Sequence, residues 1–144
     1  MLSNTTKDWM TLNDYDENDI NKVGQYGNSA LMKAVREARA DIAKELIEFN
    51  ADLEVKNVDG NSALWNACFG QDYKCVEHLV HAGIDLNSMN DNGVTALMYS
   101  ASAGKEDMVK LLLEFNADKS LKNLDGFKAI DLAVTPSIYK RLKG

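Results

Sequence analysis

The sequence predicts an all-α solenoid of about four 33-residue helix–turn–helix units, each with a short turn or hairpin at its tip. Three observations carry this prediction: a glycine that recurs every 33 residues, small and apolar residues that recur with it, and a second apolar stripe in each unit. A single unit of this size cannot bury its own apolar face. The units must therefore stack, each contacting its neighbours.

The glycine period marks the tips of the units. In the last three units the residue before the glycine is Asp or Asn. Such dipeptides favour tight turns, because glycine adopts positive φ without steric cost. The periodic glycines are Gly27, Gly60, Gly93 and Gly126.

A short first helix is predicted to follow each tip. It begins at a hydroxyl residue two positions after the glycine, Ser29, Ser62 or Thr95, whose side chain can accept a hydrogen bond from the first free amides. Seven positions after the glycine stands a small residue, which lets the helix lie close to its neighbour. These residues are Ala34, Ala67, Ser100 and Ala133.

A longer second helix is predicted from apolar residues spaced i, i+1, i+4 and i+5, which form one stripe of an amphipathic helix. An aspartate then closes each unit, as Asp52, Asp85 or Asp118, and its recurrence with the period indicates a structural role. The stripes are Ile42, Ala43, Leu46 and Ile47, then Cys75, Val76, Leu79 and Val80, then Met108, Val109, Leu112 and Leu113.

Both ends are predicted to be atypical caps of one domain that covers residues 1–144. Residues 1–23 form a half-repeat whose Trp9, Met10 and Leu12 cover the first apolar face. Full repeats follow at 24–56, 57–89 and 90–122, and residues 123–144 form a shortened last repeat. Its second helix begins at Thr135-Pro136 and presents Ile138, Tyr139 and Leu142 as its apolar side.

The segments Gly27–Ala34, Gly60–Ala67 and Gly93–Ser100 resemble the ankyrin-repeat pattern G-x-T-P-L-H-x-A. The resemblance covers about residues 19–142 and implies an ankyrin-repeat solenoid. Alanine replaces the proline of the pattern in every repeat. The histidine is replaced by Met32, Trp65, Met98 and Asp131, and Trp65 is open to either packing or binding.

The composition argues against two classes of function, nucleic-acid binding and membrane insertion. The net charge of -6 leaves no positive field to hold a nucleic acid, and no apolar stretch approaches the ~20 residues of a membrane span. We therefore expect a cytoplasmic, monomeric protein that binds neither nucleic acid nor membrane. The two cysteines, Cys68 and Cys75, fall on inward helix positions and are predicted to be free buried thiols.

Neither catalysis nor a cofactor is expected, because the chain contains none of the common phosphate-binding or nucleophile motifs. An alternative is a metalloprotein that uses Cys68, Cys75, His78 and His81. Helical geometry disfavours it, since the histidines lie about 60° and 120° around the helix from Cys75 and no turn brings four ligands together.

The resemblance implies a protein-interaction module that binds its partner through the tips and the exposed, concave side of the first helices. An alternative suggested by small size and negative charge is a tight inhibitor or immunity-type protein that masks a basic toxin or enzyme. Phe69 and Tyr99 stand out as aromatic residues that the framework does not require, and each is interpreted either as a partner contact or as a side chain that fills a groove between helices. The predicted partner-binding residues are Gln25, Tyr26, Asn28, Lys33, Arg36, Val58, Asp59, Asn61, Asn66, Phe69, Asp91, Asn92, Val94, Tyr99 and Ser102.

Overall fold

The computed structural model describes all residues from 1 to 144 and contains nine α-helices, one 3₁₀ turn at Gln25–Gly27 and no β-sheet. The predicted all-α class is confirmed. The chain divides into two compact units, which we call the N-terminal unit (Met1–Ile84) and the C-terminal unit (Asp85–Gly144). The helices are α1 (Asn4–Leu12), α2 (Ala30–Arg36), α3 (Ala40–Glu48), α4 (Ala63–Gly70), α5 (Tyr73–His81), α6 (Ala96–Ser102), α7 (Glu106–Glu114), α8 (Ala129–Leu132) and α9 (Pro136–Leu142).

Within each unit the two helices of a repeat pack against each other, and corresponding helices of successive repeats are neighbours. In the N-terminal unit, α2 packs on α3 and α4 packs on α5. The first helices α2 and α4 are neighbours, the second helices α3 and α5 are neighbours, and α1 lies against α3. In the C-terminal unit the same arrangement relates α6 to α7 and α8, and α9 to α7 and α8.

The predicted stripes form the core of both units. In each second helix the first three stripe positions are buried, and the fourth, at Ile47, Val80 or Leu113, is half-buried. The small residues Ala34, Ala67 and Ser100 are fully buried on the first helices, as predicted, whereas Ala133 follows the end of α8 and is half-buried. Burial of this kind is the main stabilising contribution in such a stack.

Two of the three predicted helix caps form. Ser29 Oγ and Thr95 Oγ1 each accept a hydrogen bond of 3.2 Å, from the amides of Met32 and Met98. Ser62 occupies the same position before α4, but its side chain accepts no capping hydrogen bond, so the prediction for Ser62 is wrong. The backbone oxygen of Ser62 instead accepts a 2.9 Å hydrogen bond from Asn66 Nδ2.

A periodic asparagine builds the tips together with the glycines. At Asn57, Asn90 and Asn123 the side-chain oxygen accepts hydrogen bonds from the amides two and four residues later, at 2.9–3.1 Å. Gly93, at φ +74, must also be glycine because a Cβ there would lie 2.9 Å from the Leu124 nitrogen. The Leu124 amide donates a 3.1 Å hydrogen bond to the backbone carbonyl oxygen of Asn92. This hydrogen bond joins the two tips of the C-terminal unit.

The periodic aspartates have the predicted structural role. Asp52, Asp85 and Asp118 each accept a hydrogen bond from the amide two residues later, at 2.8–2.9 Å. They are therefore turn-forming residues of the repeat.

The end helices differ from the prediction at one residue each. Trp9 and Met10 are buried, but Leu12, the last residue of α1, is 83% exposed and lies about 160° around the helix from Met10. Ile138 and Leu142 are buried, whereas Tyr139 is 49% exposed. The predicted start of α9 is confirmed, since Thr135 Oγ1 accepts from the Ile138 amide at 3.1 Å with Pro136 in the first turn.

Candidate protein-binding surface

An exposed aromatic side chain contacts both a cation and a second aromatic ring in the N-terminal unit. Phe69, near the end of α4, is 43% exposed. The guanidinium carbon of Arg36, from the neighbouring helix α2, lies 3.9 Å from the centre of the Phe69 ring. Trp65 stacks on Phe69 with ring centres 5.8 Å apart and planes at 15°, because residues i and i+4 meet on a helix face. We call Arg36, Phe69 and Trp65 the aromatic cluster.

A buried amide supports this cluster from below. Arg36 Nη1 donates to Asn66 Oδ1 at 3.3 Å, and Asn66 is fully buried. The sequence predicted Asn61 and Asn66 as exposed contact residues, and this exposure is wrong for both. Asn61 is 6% exposed because its backbone closes the tip on Asn57, and Asn66 lies between helices.

A cleft of about 670 Å³ adjoins the cluster in the same unit. Its lining includes Tyr15, Tyr26, Lys33, Arg36 and Asp59. Lys33 Nζ forms an ion pair of 3.0 Å with Glu37. Tyr15 Oη donates a 3.0 Å hydrogen bond to the backbone carbonyl oxygen of Asn28. Burial, aided by the charge of Glu37, raises the pKa of Tyr15, so this phenol stays protonated.

The remaining predicted residues of the N-terminal unit lie at its tips. Tyr26 is 66% exposed and Val58 is 63% exposed, and Gln25 and Asp59 are exposed beside them. Asn28 is half-buried, and its Oδ1 accepts a 3.0 Å hydrogen bond from Asn57 Nδ2. Exposed apolar and aromatic side chains therefore stand at two successive tips.

The C-terminal unit carries its own set of predicted residues. Asp91 and Asn92 are exposed at its first tip, with Val94 half-buried. Tyr99 on α6 is half-buried, and the Lys105 ammonium lies 5.4 Å from the centre of its ring. Ser102 is exposed, and its hydroxyl donates a 3.0 Å hydrogen bond to the backbone carbonyl oxygen of Tyr99.

The cysteines and histidines do not converge. Cys68 and Cys75 form no disulfide and are buried, as predicted. Burial, with a smaller contribution from the nearby charge of Asp72, raises the pKa of Cys75 to about 12, which disfavours the thiolate that a metal or an electrophile requires. His78 is half-buried and His81 is exposed. No group of three or more His, Cys, Asp or Glu side chains is placed to hold a metal ion.

None of the nine helices combines the length and the apolar character that a bilayer span requires.

Sequence reasoning missed two residues that position the cluster. Asn66 was predicted to be a surface contact, whereas it is buried and accepts the hydrogen bond that holds Arg36. Gly70 was not singled out, although it is a glycine where the preceding and following repeats have Glu37 and Ala103. That departure from the period is the signal that identifies it.

The family model of ankyrin repeats (three copies) matches residues 3–90 and 67–141. Similar proteins include "Ankyrin repeat and SOCS box protein 5" of Bos taurus, 37% identical over 79 residues, which are 55% of this chain and 24% of the relative. The protein of the same name from Mus musculus is 32% identical over 97 residues, which are 67% of this chain and 29% of the relative. "Neurogenic locus notch homolog protein 1" of Xenopus laevis is 32% identical over 114 residues, 78% of this chain and 4% of the relative.

The chain thus spans less than a third of the length of these curated relatives. The similarity extends through both units, and the helix pairs with glycine tips agree with it. Since the family model matches well over half of the residues, the chain belongs to the ankyrin-repeat family.

Proposed function

We propose that this chain is a non-catalytic module that binds a protein partner through its tips and the exposed side of its first helices. Ankyrin repeats are generally protein–protein interaction modules without catalysis. The proposal rests on the aromatic cluster, in which the exposed Phe69 contacts both Arg36 and Trp65. Trp, Tyr and Arg are the residues most enriched at the energetic centres of protein interfaces.

The cluster is also held in place before binding. The ring of Phe69 contacts both Arg36 and Trp65, and Arg36 donates a hydrogen bond to the buried Asn66. Binding would therefore cost less side-chain entropy than an interface built from free side chains. In this proposal Trp65 both packs on Phe69 and belongs to the site, while Asn61 and Asn66 are supports.

The proposed contact residues of each unit follow from exposure. In the N-terminal unit they are Gln25, Tyr26, Asn28, Lys33, Arg36, Val58, Asp59 and Phe69, and in the C-terminal unit Asp91, Asn92, Val94, Tyr99 and Ser102.

Affinity capture from the native lysate followed by mass spectrometry would identify the partner, and calorimetry would then compare variants. Phe69→Ala and Tyr99→Ala are each expected to cost about 2 kcal/mol, or about 30-fold in Kd, with folding retained. The controls are the charge reversals Lys44→Glu, Glu77→Lys and Lys110→Glu on the second helices, expected to change Kd by less than about threefold. Equal losses from the control variants would place the site on the opposite side.

A second candidate is a tight inhibitor of a basic protein, which the exposed carboxylates Asp59 and Asp91 at two tips favour. Association with such a partner should slow markedly as salt rises, while dissociation changes less. An association rate that is independent of salt would exclude this candidate.

A further inference from the structure

We propose that Arg36 receives a carboxylate side chain of the partner, so that the segment bound to the N-terminal unit carries Asp or Glu beside an apolar residue that packs on Phe69. This inference rests on the proposed function and names the chemistry of the partner at the same surface. It concerns the residue that contacts Arg36 and is independent of the partner's net charge.

The first argument is that Arg36 is held in one position. Its guanidinium lies 3.9 Å from the centre of the Phe69 ring, and its Nη1 donates to Asn66 Oδ1 at 3.3 Å. Asn66 is itself fixed, because it is fully buried and its Nδ2 donates to the Ser62 oxygen at 2.9 Å. An arginine held by a ring and a buried amide is preorganised for a ligand.

The second argument is that the charge of Arg36 has no carboxylate partner in the chain. The ion pairs of the structure join Lys33 to Glu37, Arg39 to Asp41 and Arg141 to Glu106. A guanidinium carries five N–H donors, of which Arg36 uses one on Asn66. The remaining donors are available for the paired hydrogen bonds that arginine forms with carboxylates.

The third argument is the charge distribution of the adjoining cleft. Its lining contains two cations, Lys33 and Arg36, and Lys33 is already paired with Glu37 at 3.0 Å. Asp14 and Asp59 also line the cleft and disfavour a second carboxylate there. Arg36 is therefore the cation of the cleft that lacks a carboxylate, and one acidic residue of the partner would neutralise it.

The apolar half of the motif follows from the Phe69 ring. Phe69 is 43% exposed although Arg36 and Trp65 both contact it. An apolar side chain next to the acidic residue would cover this exposed ring while the carboxylate reaches the Arg36 guanidinium. Excluding water in this way strengthens the charged hydrogen bond, because the local dielectric constant falls.

The test uses a random peptide display library selected against the full chain. Enriched peptides are expected to share Asp or Glu beside an apolar residue. Replacing that acid by its amide, or Arg36→Gln in the chain, should each weaken Kd about tenfold or more. The two changes should not add, because Arg36→Gln removes the interaction that distinguishes the acidic peptide from its amide.

Matched variants separate this contact from overall charge and from folding. Arg39→Gln removes the same charge in the same unit, but Arg39 is paired with Asp41 at 3.2 Å and does not line the cleft. It should change Kd by less than about threefold. Arg36→Lys retains the charge but loses the planar pair of donors, and it should bind with intermediate affinity. Circular dichroism melting would confirm that each variant is folded.

The remaining outcomes overturn the inference in distinguishable ways. If peptides lose affinity on Phe69→Ala but Arg36→Gln affects the acidic peptide and its amide equally, the inference is wrong and the proposed surface stands. If no peptide is enriched, or the enriched peptides are insensitive to both Phe69→Ala and Arg36→Gln, both the inference and the proposed surface are contradicted.

Discussion

A Cβ atom on Gly70 would lie 2.6 Å from the backbone oxygen of Arg36, closer than real side chains approach. It would also lie 2.7 Å from the Val35 oxygen. Only glycine therefore allows the end of α4 to approach the end of α2 this closely. Since Phe69 directly precedes Gly70, this approach brings its ring under the Arg36 guanidinium.

Gly70→Ala is expected to destabilise the protein by about 1–3 kcal/mol, because the obstructing atoms belong to the backbone and the helices must separate. This loss outweighs the helix-propensity gain of about 1 kcal/mol that alanine normally brings. Urea denaturation followed by circular dichroism measures the difference.

Gly24→Ala is the control for Gly70→Ala. The nearest atoms to its new Cβ would be those of the Tyr15 ring, at 3.2 Å or more, so the obstruction is a longer contact to a side chain and not to the backbone. It should cost less than the Gly70 change. If Gly70→Ala were as stable as the parent protein, the close approach of α2 and α4 would not depend on this glycine.

The repeat period made most of the fold predictable. Residues such as Leu46 and Leu79 recur because every repeat must bury the same face against its neighbour, so packing is recorded directly in the sequence. The periodic Asn57, Asn90 and Asn123 were equally visible in the sequence, and their hydrogen bonds to backbone amides could have been anticipated.

The aromatic cluster was only partly predictable. Phe69 and Arg36 were identified as surface residues, but their contact joins residues 33 positions apart on two helices. The geometry of this contact depends on the close approach of α2 and α4. Gly70 permits that approach, but no local sequence pattern predicts it. The role of Asn66 was missed for the same reason, because its burial comes from the neighbouring helix.

The thiols provide a test of core burial. Cys68 and Cys75 should react with a thiol reagent at least about a hundredfold more slowly in the folded protein than in denaturant. Both are buried, and the pKa of Cys75 is raised to about 12, so little thiolate is present near neutral pH. Absorbance of the released reagent measures the rates, and Cys68→Ala leaves Cys75 to be followed alone.

Rapid labelling of either cysteine in native buffer would contradict the burial of Cys68 on α4 and of the stripe residue Cys75 on α5. Elemental analysis of the same preparation adds a second check. About one zinc per chain would revive the alternative that uses Cys68, Cys75, His78 and His81.

Acid should weaken the attachment of α1 to α3. Burial alone would raise the pKa of Glu45, but hydrogen bonds from the Ser3 amide, Ser3 Oγ and Thr6 Oγ1 together lower it below its usual value. A carboxyl with a lowered folded-state pKa stabilises the fold above its unfolded-state pKa, near 4.3, and this stabilisation is lost as pH falls through the folded-state value. The melting temperature should therefore fall between pH 6 and pH 3.

Glu45→Gln should reduce this dependence on pH, because the glutamine side chain is uncharged throughout the range. Glu48→Gln on the same helix is the control, since Glu48 is exposed and forms no ion pair. Melting curves by circular dichroism provide the measurement. A slope in Glu45→Gln as steep as in the parent protein would show that these hydrogen bonds do not contribute to acid sensitivity.

The last helix offers a comparison of adjacent residues. Ile138 on α9 is fully buried and Tyr139 is 49% exposed, while α9 packs against α7 and α8. Ile138→Ala should lower the free energy of unfolding by about 2–5 kcal/mol, because apolar burial is lost and a cavity forms. Tyr139→Ala should lower it by less than about 1 kcal/mol. Deletion of residues 124–144 should destabilise the C-terminal unit further, because it uncovers the apolar sides of α6 and α7 together. Urea denaturation ranks the three variants, and equal costs for Ile138→Ala and Tyr139→Ala would contradict the orientation of α9.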